Sequence, residues 1–221
     1  ALLDSIESKK PFKILDLGCG PGRDLKYFKS LGHIPVGVEG SETFVEIARK
    51  SSGCDVFNMD FINLDLPQSE YDGIFANAAL FHTPRQEINR VIRELNDSLK
   101  ERGVLFCSNP RGNNQEGFSG ERYGFYYDWN TWKQICLNAG FEEIRHFLRP
   151  DEIPEEERPW LASVWRKLKN ENYLKFIKVN KNKLKNKHVK NMSANINKIK
   201  KKIKWFPNKN IKDLILSLIH I

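Results

Sequence analysis

No stretch of the 221 residues approaches the run of about 18 apolar residues that a membrane-spanning helix requires, so no membrane span is expected. Cysteine is scarce: Cys19, Cys54, Cys107 and Cys136 include no C-x-x-C pair and no neighbouring His at metal-ligand spacing. That excludes a disulfide framework and gives no sign of a metal site, and it reads as reduced thiols in a cytoplasmic protein. Arginine is missing altogether from residues 168–221, which hold 15 Lys against only Glu171 and Asp213, a net +13. Residues 1–167 carry 21 basic and 26 acidic residues, a net −5, so the overall +8 belongs to the tail and not to the part that could form a core. An initiating Met is also lacking. The chain opens on Ala1 and soon enters a strand pattern, so its natural start is expected upstream, and a targeting signal there stays open.

What is present is ordinary for a globular domain, with 40% hydrophobic and 11% aromatic residues. Short apolar runs alternate with segments of helical period. Strands are expected at 13–17, 34–39, 55–59, 71–77 and 103–108, and helices at 23–31, 42–50, 85–99 and 129–139. Ser41 is a plausible N-cap for the second helix, with Phe44, Ile47 and Ala48 on one face, and Gly140 suits the end of the last. Segments 141–148 and 161–166 read as strands that pair antiparallel at one sheet edge. This rhythm predicts an α/β fold, a Rossmann-like doubly wound sheet, mostly parallel with an antiparallel strand at one edge.

In an open α/β sheet, ligands lie beyond the carboxyl ends of the strands. The first such end is Asp16-Leu17-Gly18-Cys19-Gly20-Pro21-Gly22. Its glycines allow a ligand to approach the backbone, and the next helix offers free N–H groups, although a plain tight turn has the same composition. At the second end, Glu39 followed by Gly40 could accept both hydroxyls of a ribose, or could be a solvated acid at a helix start. At the third, Asp60 could accept from an adenine amino group with Phe61 flanking the ring, and Asp65 lies nearby as an alternative. Three ends matching a nucleoside in chain order weigh more than any one. The spacing Gly18-x-Gly20-x-Gly22 departs from the dinucleotide fingerprint G-x-G-x-x-G, and Asp16 would repel a pyrophosphate while suiting an ammonium group.

The segments ILDLGCGPGRD (14–24), VGVEGS (36–41), NMDF (58–61) and YDGIFANAALFH (71–82) resemble the motifs of class I S-adenosylmethionine-dependent methyltransferases. The resemblance is to the broad small-molecule families typed by ubiquinone and menaquinone biosynthesis enzymes, and it covers about residues 10–167. It implies S-adenosyl-L-methionine as cofactor, with Asp16, Gly18, Cys19 and Gly20 near the methionine moiety. It also implies Glu39 and Gly40 on the ribose, Asp60 and Phe61 on adenine, and Asn77 near the amino-acid end.

Methyl transfer from a sulfonium depends more on in-line placement than on acid–base groups. His82 could deprotonate a hydroxyl or thiol acceptor, or could simply stabilise its loop; His33 and His146 carry no assigned role. Residues 109–129 form a long connection, expected as a structureless lid whose Arg111, Arg122, Tyr123 and Tyr126 contact a polar or anionic acceptor. The alternative is that Tyr126, Tyr127 and Trp129 pack on the sheet edge. Asn109-Pro110 follows the fifth strand, where it implies no amino acceptor.

The domain reading is therefore 1–167 for the methyltransferase domain and 168–221 for a Lys/Asn-rich tail. That tail has three readings: a translated AT-rich or cloning-derived end, a disordered solvated extension, or a basic arm for RNA. The function expected is methyl transfer to a small-molecule acceptor. The alternatives are a tRNA or rRNA methyltransferase working through the tail, whose case is weakened by the acidic balance of residues 1–167, and an inactive methyltransferase-like subunit.

Overall fold

The computed structural model describes residues 1–169, so nearly all of the Lys/Asn-rich tail, and the readings that concern it, lie outside the described residues. In chain order the elements are α1 (Leu2–Ser5), β1 (Lys13–Leu17), α2 (Arg23–Ser30), β2 (Ile34–Glu39), α3 (Glu42–Ser52), β3 (Asp55–Asn58) and β4 (Tyr71–Asn77). There follow α4 (Ile88–Ser98), β5 (Leu99–Pro110), β6 (Gln115–Ser119), β7 (Arg122–Tyr126), α5 (Trp129–Asn138), β8 (Phe141–Arg149) and β9 (Trp160–Lys167).

Seven strands make one sheet in the order β3-β2-β1-β4-β5-β9-β8. The first five run parallel, and β9 is antiparallel to both of its neighbours. The pair β8–β9 lies at one sheet edge as the alternation suggested, with the reversed strand inserted between β5 and the outermost β8. The order reverses between β1 and β4, and the ends of those strands form the switch point at which such sheets bind ligands.

The central strands are buried on both faces, which is why β1 and β4 read as nearly continuous apolar runs. On one face, Ile88, Val91, Ile92 and Leu95 of α4 and Trp132 and Ile135 of α5 pack with Leu15, Leu17, Ile74 and Leu105. On the other, Ile14, Val104, Phe106 and Val164 meet Leu2 of α1 and Phe28 of α2. A third cluster of Leu25, Val45, Ala48 and Val56 locks α2 and α3 beside β3. Each fully buried aliphatic side chain contributes roughly 1.5–3 kcal/mol of transfer free energy, so this packing holds the strand ends in place.

Local signals set the starts of two of the five helices among the described residues. Ser41 Oγ accepts from the Phe44 N–H at 3.5 Å and Asp128 Oδ1 from the Thr131 N–H at 2.7 Å, capping α3 and α5. Three expectations are corrected. Helix α4 begins at Ile88 rather than residue 85, because the Pro84 carbonyl closes a separate turn onto the N–H groups of Glu87 and Ile88. The buried face of α3 is Val45, Ala48 and Ser52, which leaves Phe44 and Ile47 largely exposed. Residues 109–129 are not structureless: β5 runs on to Pro110, and β6 and β7 form a two-stranded antiparallel ribbon. The alternative for its end holds in part, since Tyr127 is buried against Phe125 and Trp132, and Trp129 stacks on His146 and Trp165.

Candidate functional site

The ends of β1, β2 and β3 and the segment after β4 border a cavity of about 520 Å³. From the sequence expectations it gathers Gly18, Gly20, Glu39, Gly40, Asp60, Phe61, His82, Arg122 and Tyr123. The Gly-rich turn is tied to β2, because the N–H groups of Gly18 and Cys19 both donate to the Val38 carbonyl, at 2.8 and 3.1 Å. Gly18 has φ +72°, and a Cβ there would lie 2.9 Å from Ala79 Cβ. Gly20 has φ +52° with nothing within 4 Å of its missing Cβ, so a larger residue there would be strained in backbone. Ala78, also at positive φ (+56°), turns the chain along the cavity wall while its N–H donates to Ser108 O at 2.9 Å. Such strain in a non-glycine residue collects at working sites.

Glu39 is fixed by two backbone donors: Oε2 accepts from the Gly20 N–H and Oε1 from the Ser41 N–H, each at 2.9 Å. A carboxylate has about four lone-pair sites, so capacity remains for two further donors, which is what a vicinal diol supplies. Asp60 has more local duties. Its Oδ1 accepts from the N–H groups of Ile62 and Asn63, at 2.8 and 2.7 Å, and its Oδ2 from Asn63 Nδ2 at 2.9 Å. These bonds, led by the Asn63 side chain, hold its carboxyl below the usual range and shape the loop that carries Phe61.

Asp16 lies behind the turn rather than on the cavity wall. It is 3% exposed, and its Oδ2 has no hydrogen-bond partner among the described residues. Burial pushes its carboxyl up to about 8; Asp24 and Glu39 add to the rise and Arg23 opposes it. Cys19 points into the cluster of Leu25, Val45 and Ala48, so only its backbone belongs to the turn, and burial pushes its thiol up to about 12. Asn77 lies outside the cavity lining, and its Oδ1 accepts from Arg149 Nη2 at 2.7 Å. Arg149, brought from β8, carries no sequence signal that would have singled it out.

On the opposite wall, Arg122 and Tyr123 of β7 meet His82, whose Nδ1 lies 2.6 Å from the Tyr123 carbonyl oxygen. Tyr123 Oη donates to Glu116 Oε2 at 3.1 Å. Arg111 and Tyr126 are placed elsewhere, in a separate depression with Pro110, Glu156 and Arg158, where Arg111 Nη1 donates to the carbonyls of Glu155 and Glu156. The hairpin explains the split, because β7 directs Tyr123 and Tyr126 to different surroundings. Ser41, Phe44, Met59 and Ala79 also line the cavity and escaped the sequence reading. His33 is buried just before the start of β2, at the other end of that strand from Glu39, accepting from the Phe12 N–H at 3.2 Å, and His146 pairs with Glu143. Among the described residues no group of three or more His, Cys, Asp or Glu could hold a metal ion, and no helix is long and apolar enough to cross a membrane.

Residues 14–103, which supply most of this cavity, match the sequence model of the family described as a methyltransferase domain. Over these residues the chain is similar to a methyltransferase domain. An uncharacterized methyltransferase of Oceanobacillus iheyensis is 27% identical to it over 105 residues, 47% of this chain and 49% of the relative. A demethylmenaquinone methyltransferase of Thermotoga maritima is 28% identical over 165 residues, 70% of this chain and 71% of the relative. The chain thus spans about half the length of the first curated relatives it matches. Among solved structures, the 1,6-didemethyltoxoflavin-N1-methyltransferase of Burkholderia thailandensis, with bound 1,6-didemethyltoxoflavin and S-adenosylhomocysteine, superposes with a TM-score of 0.61. It shares 20% identity, with 72% of each chain covered, and at that distance the likeness is one of fold. Residues 1–169 thus have the strand order and the reversed β9 of a Rossmann-like sheet.

Proposed function

We propose that this protein is an S-adenosylmethionine-dependent methyltransferase acting on a small-molecule acceptor. The observation that carries this reading is the convergence of three strand ends on one cavity: the Gly18–Gly20 turn, the amide-fixed Glu39 carboxylate and the Asp60–Phe61 loop. The chemistry of the residues fits the donor. Glu39 has the lone pairs for a ribose diol, and Phe61 and Phe44 offer ring faces for adenine. Gly18 and Gly20 leave the backbone open to the methionine chain, and the Asp16 carboxyl behind them, protonated in the free protein near neutrality, becomes a counter-charge for its ammonium group on giving up its proton. Bound S-adenosylmethionine supplies a methyl group activated on a sulfonium. The residues of the chain bind and orient it and exclude water, and proximity accounts for much of the rate. The acceptor enters between His82, Arg122 and Tyr123. The two relatives named for their substrates are small-molecule methyltransferases, which supports an acceptor of that size, and the net −5 of residues 1–167 disfavours RNA.

The test is calorimetry of the full chain with S-adenosylmethionine and S-adenosylhomocysteine, where micromolar affinity for both is expected. Absence of binding to either would overturn the reading. A screen for incorporation of labelled methyl groups then identifies the acceptor.

A further inference from the structure

We propose that His82 is the general base of the reaction and that the methylated atom is the oxygen of a weakly acidic hydroxyl, a phenol or an enol. The proposal rests on the methyl-transfer reading and deepens it. Its basis is the hydrogen bond between His82 Nδ1 and the Tyr123 carbonyl, 2.6 Å long. A carbonyl oxygen only accepts, so Nδ1 carries the hydrogen and, in the neutral ring, the lone pair stands on Nε2. The hairpin strand β7 therefore fixes the tautomer. His82 lines the cavity, and no partner occupies Nε2 among the described residues, so the ring atom left for a ligand is a proton acceptor.

The surroundings favour a hydroxyl that ionises within reach of an imidazole. Arg122, on the same wall, has no carboxylate partner among the described residues and suits a developing oxyanion. The other charged groups lining the cavity are Glu39 and Asp60, both engaged by hydrogen bonds. Packed against His82 are the Phe81 ring, at 3.9 Å between centroids, and Tyr123, whose hydroxyl is taken by Glu116. Arg85 lies over the Phe125 ring further along β7. An aliphatic alcohol is too weak an acid for an imidazole base to ionise, whereas a phenol or enol is matched to it. In the step, the acceptor O–H bond breaks, its proton passing to Nε2 and its electron pair remaining on oxygen. That oxygen bonds to the methyl carbon as the carbon–sulfur bond breaks with its pair onto sulfur, leaving the methyl ether, a neutral thioether and an imidazolium at His82.

Two measurements on the full chain test this. Nitrogen NMR of the free protein is expected to show His82 protonated at Nδ1 in its neutral form; protonation at Nε2 would overturn the proposal. Next, 4-nitrophenol is titrated in the presence of S-adenosylhomocysteine, whose own binding is followed by calorimetry in the same samples. The protein is expected to raise the yellow phenolate band severalfold at mildly acid pH over buffer alone. His82→Gln is expected to lose that rise while keeping S-adenosylhomocysteine affinity, and Arg122→Gln to reduce it in part. If the nucleoside binds but the phenol does not ionise, or if His82→Gln ionises it as well as the wild type does, the base assignment fails and the methyl-donor reading stands. If the nucleoside does not bind, the donor reading itself fails, while the tautomer is still read independently.

Discussion

The two walls of the cavity are built differently. The wall proposed to hold the donor is made of strand ends in a parallel ladder: Glu39 is pinned by the amides of Gly20 and Ser41, and the Gly18 turn is bonded twice to Val38. The wall proposed to meet the acceptor is the β6–β7 ribbon, a two-stranded sheet outside the main one, with Phe118 73% exposed. It is tied to the strand-end framework by His82–Tyr123 and Arg85–Phe125, and by Phe125, which is buried in the core. The difference teaches where change is tolerated. A carboxylate at the end of a buried strand cannot shift without disturbing the ladder, whereas the exposed tip of the hairpin, around Phe118, can be rebuilt at little cost to the core. A shared donor with varied acceptors calls for such a division.

The comparison breaks most sharply at the turn. Gly18→Val places atoms where Ala79 already stands and forces a β-branched residue to positive φ. S-adenosylhomocysteine affinity by calorimetry should fall on the order of 100-fold or more, with reduced thermal stability. Glu39→Gln keeps the shape and removes the charge. Loss of charged hydrogen bonds worth about 1.5–3 kcal/mol predicts roughly 10- to 100-fold weaker binding, with a lowered melting temperature because one of the Gly20 and Ser41 N–H groups loses its acceptor. An unchanged affinity would remove Glu39 from the donor wall.

Asp16 gives a pH test of the same wall. A carboxyl raised from 3.8 to about 8 favours the folded protein while protonated. Its contribution is full below the unfolded value and is lost as pH rises through about 8. Denaturation of the free protein should therefore show stability falling toward alkaline pH, with a slope of at most about 1.4 kcal/mol per pH unit from this one proton. Asp16→Asn should flatten that dependence and weaken donor binding, and donor binding to the wild type near neutrality should release protons, read as calorimetric heats that vary with the buffer. The smallest effect belongs to the other wall: Arg122→Ala should leave S-adenosylhomocysteine affinity within about twofold while raising the acceptor KM. An equal loss in both would erase the distinction between the walls.

The glycine spacing, the acids at 16 and 39 and the alternation of apolar runs were enough to read a Rossmann-like sheet and its ligand end, because a buried parallel strand and a sharp turn each restrict residue type at adjacent positions. Local pattern could not assign the hairpin at 115–126, whose strands are short and mixed in polarity, nor send Phe44 to the cavity instead of the core. It also could not show that Asp60 bonds its own loop, or that Asn77 is met by Arg149, 72 residues away. Contacts of that separation depend on how the sheet orders its strands, which no local period encodes. The donor wall was thus determined by sequence through backbone constraint, and the acceptor wall, with the tautomer of His82, only by tertiary structure, because it depends on a carbonyl 41 residues away.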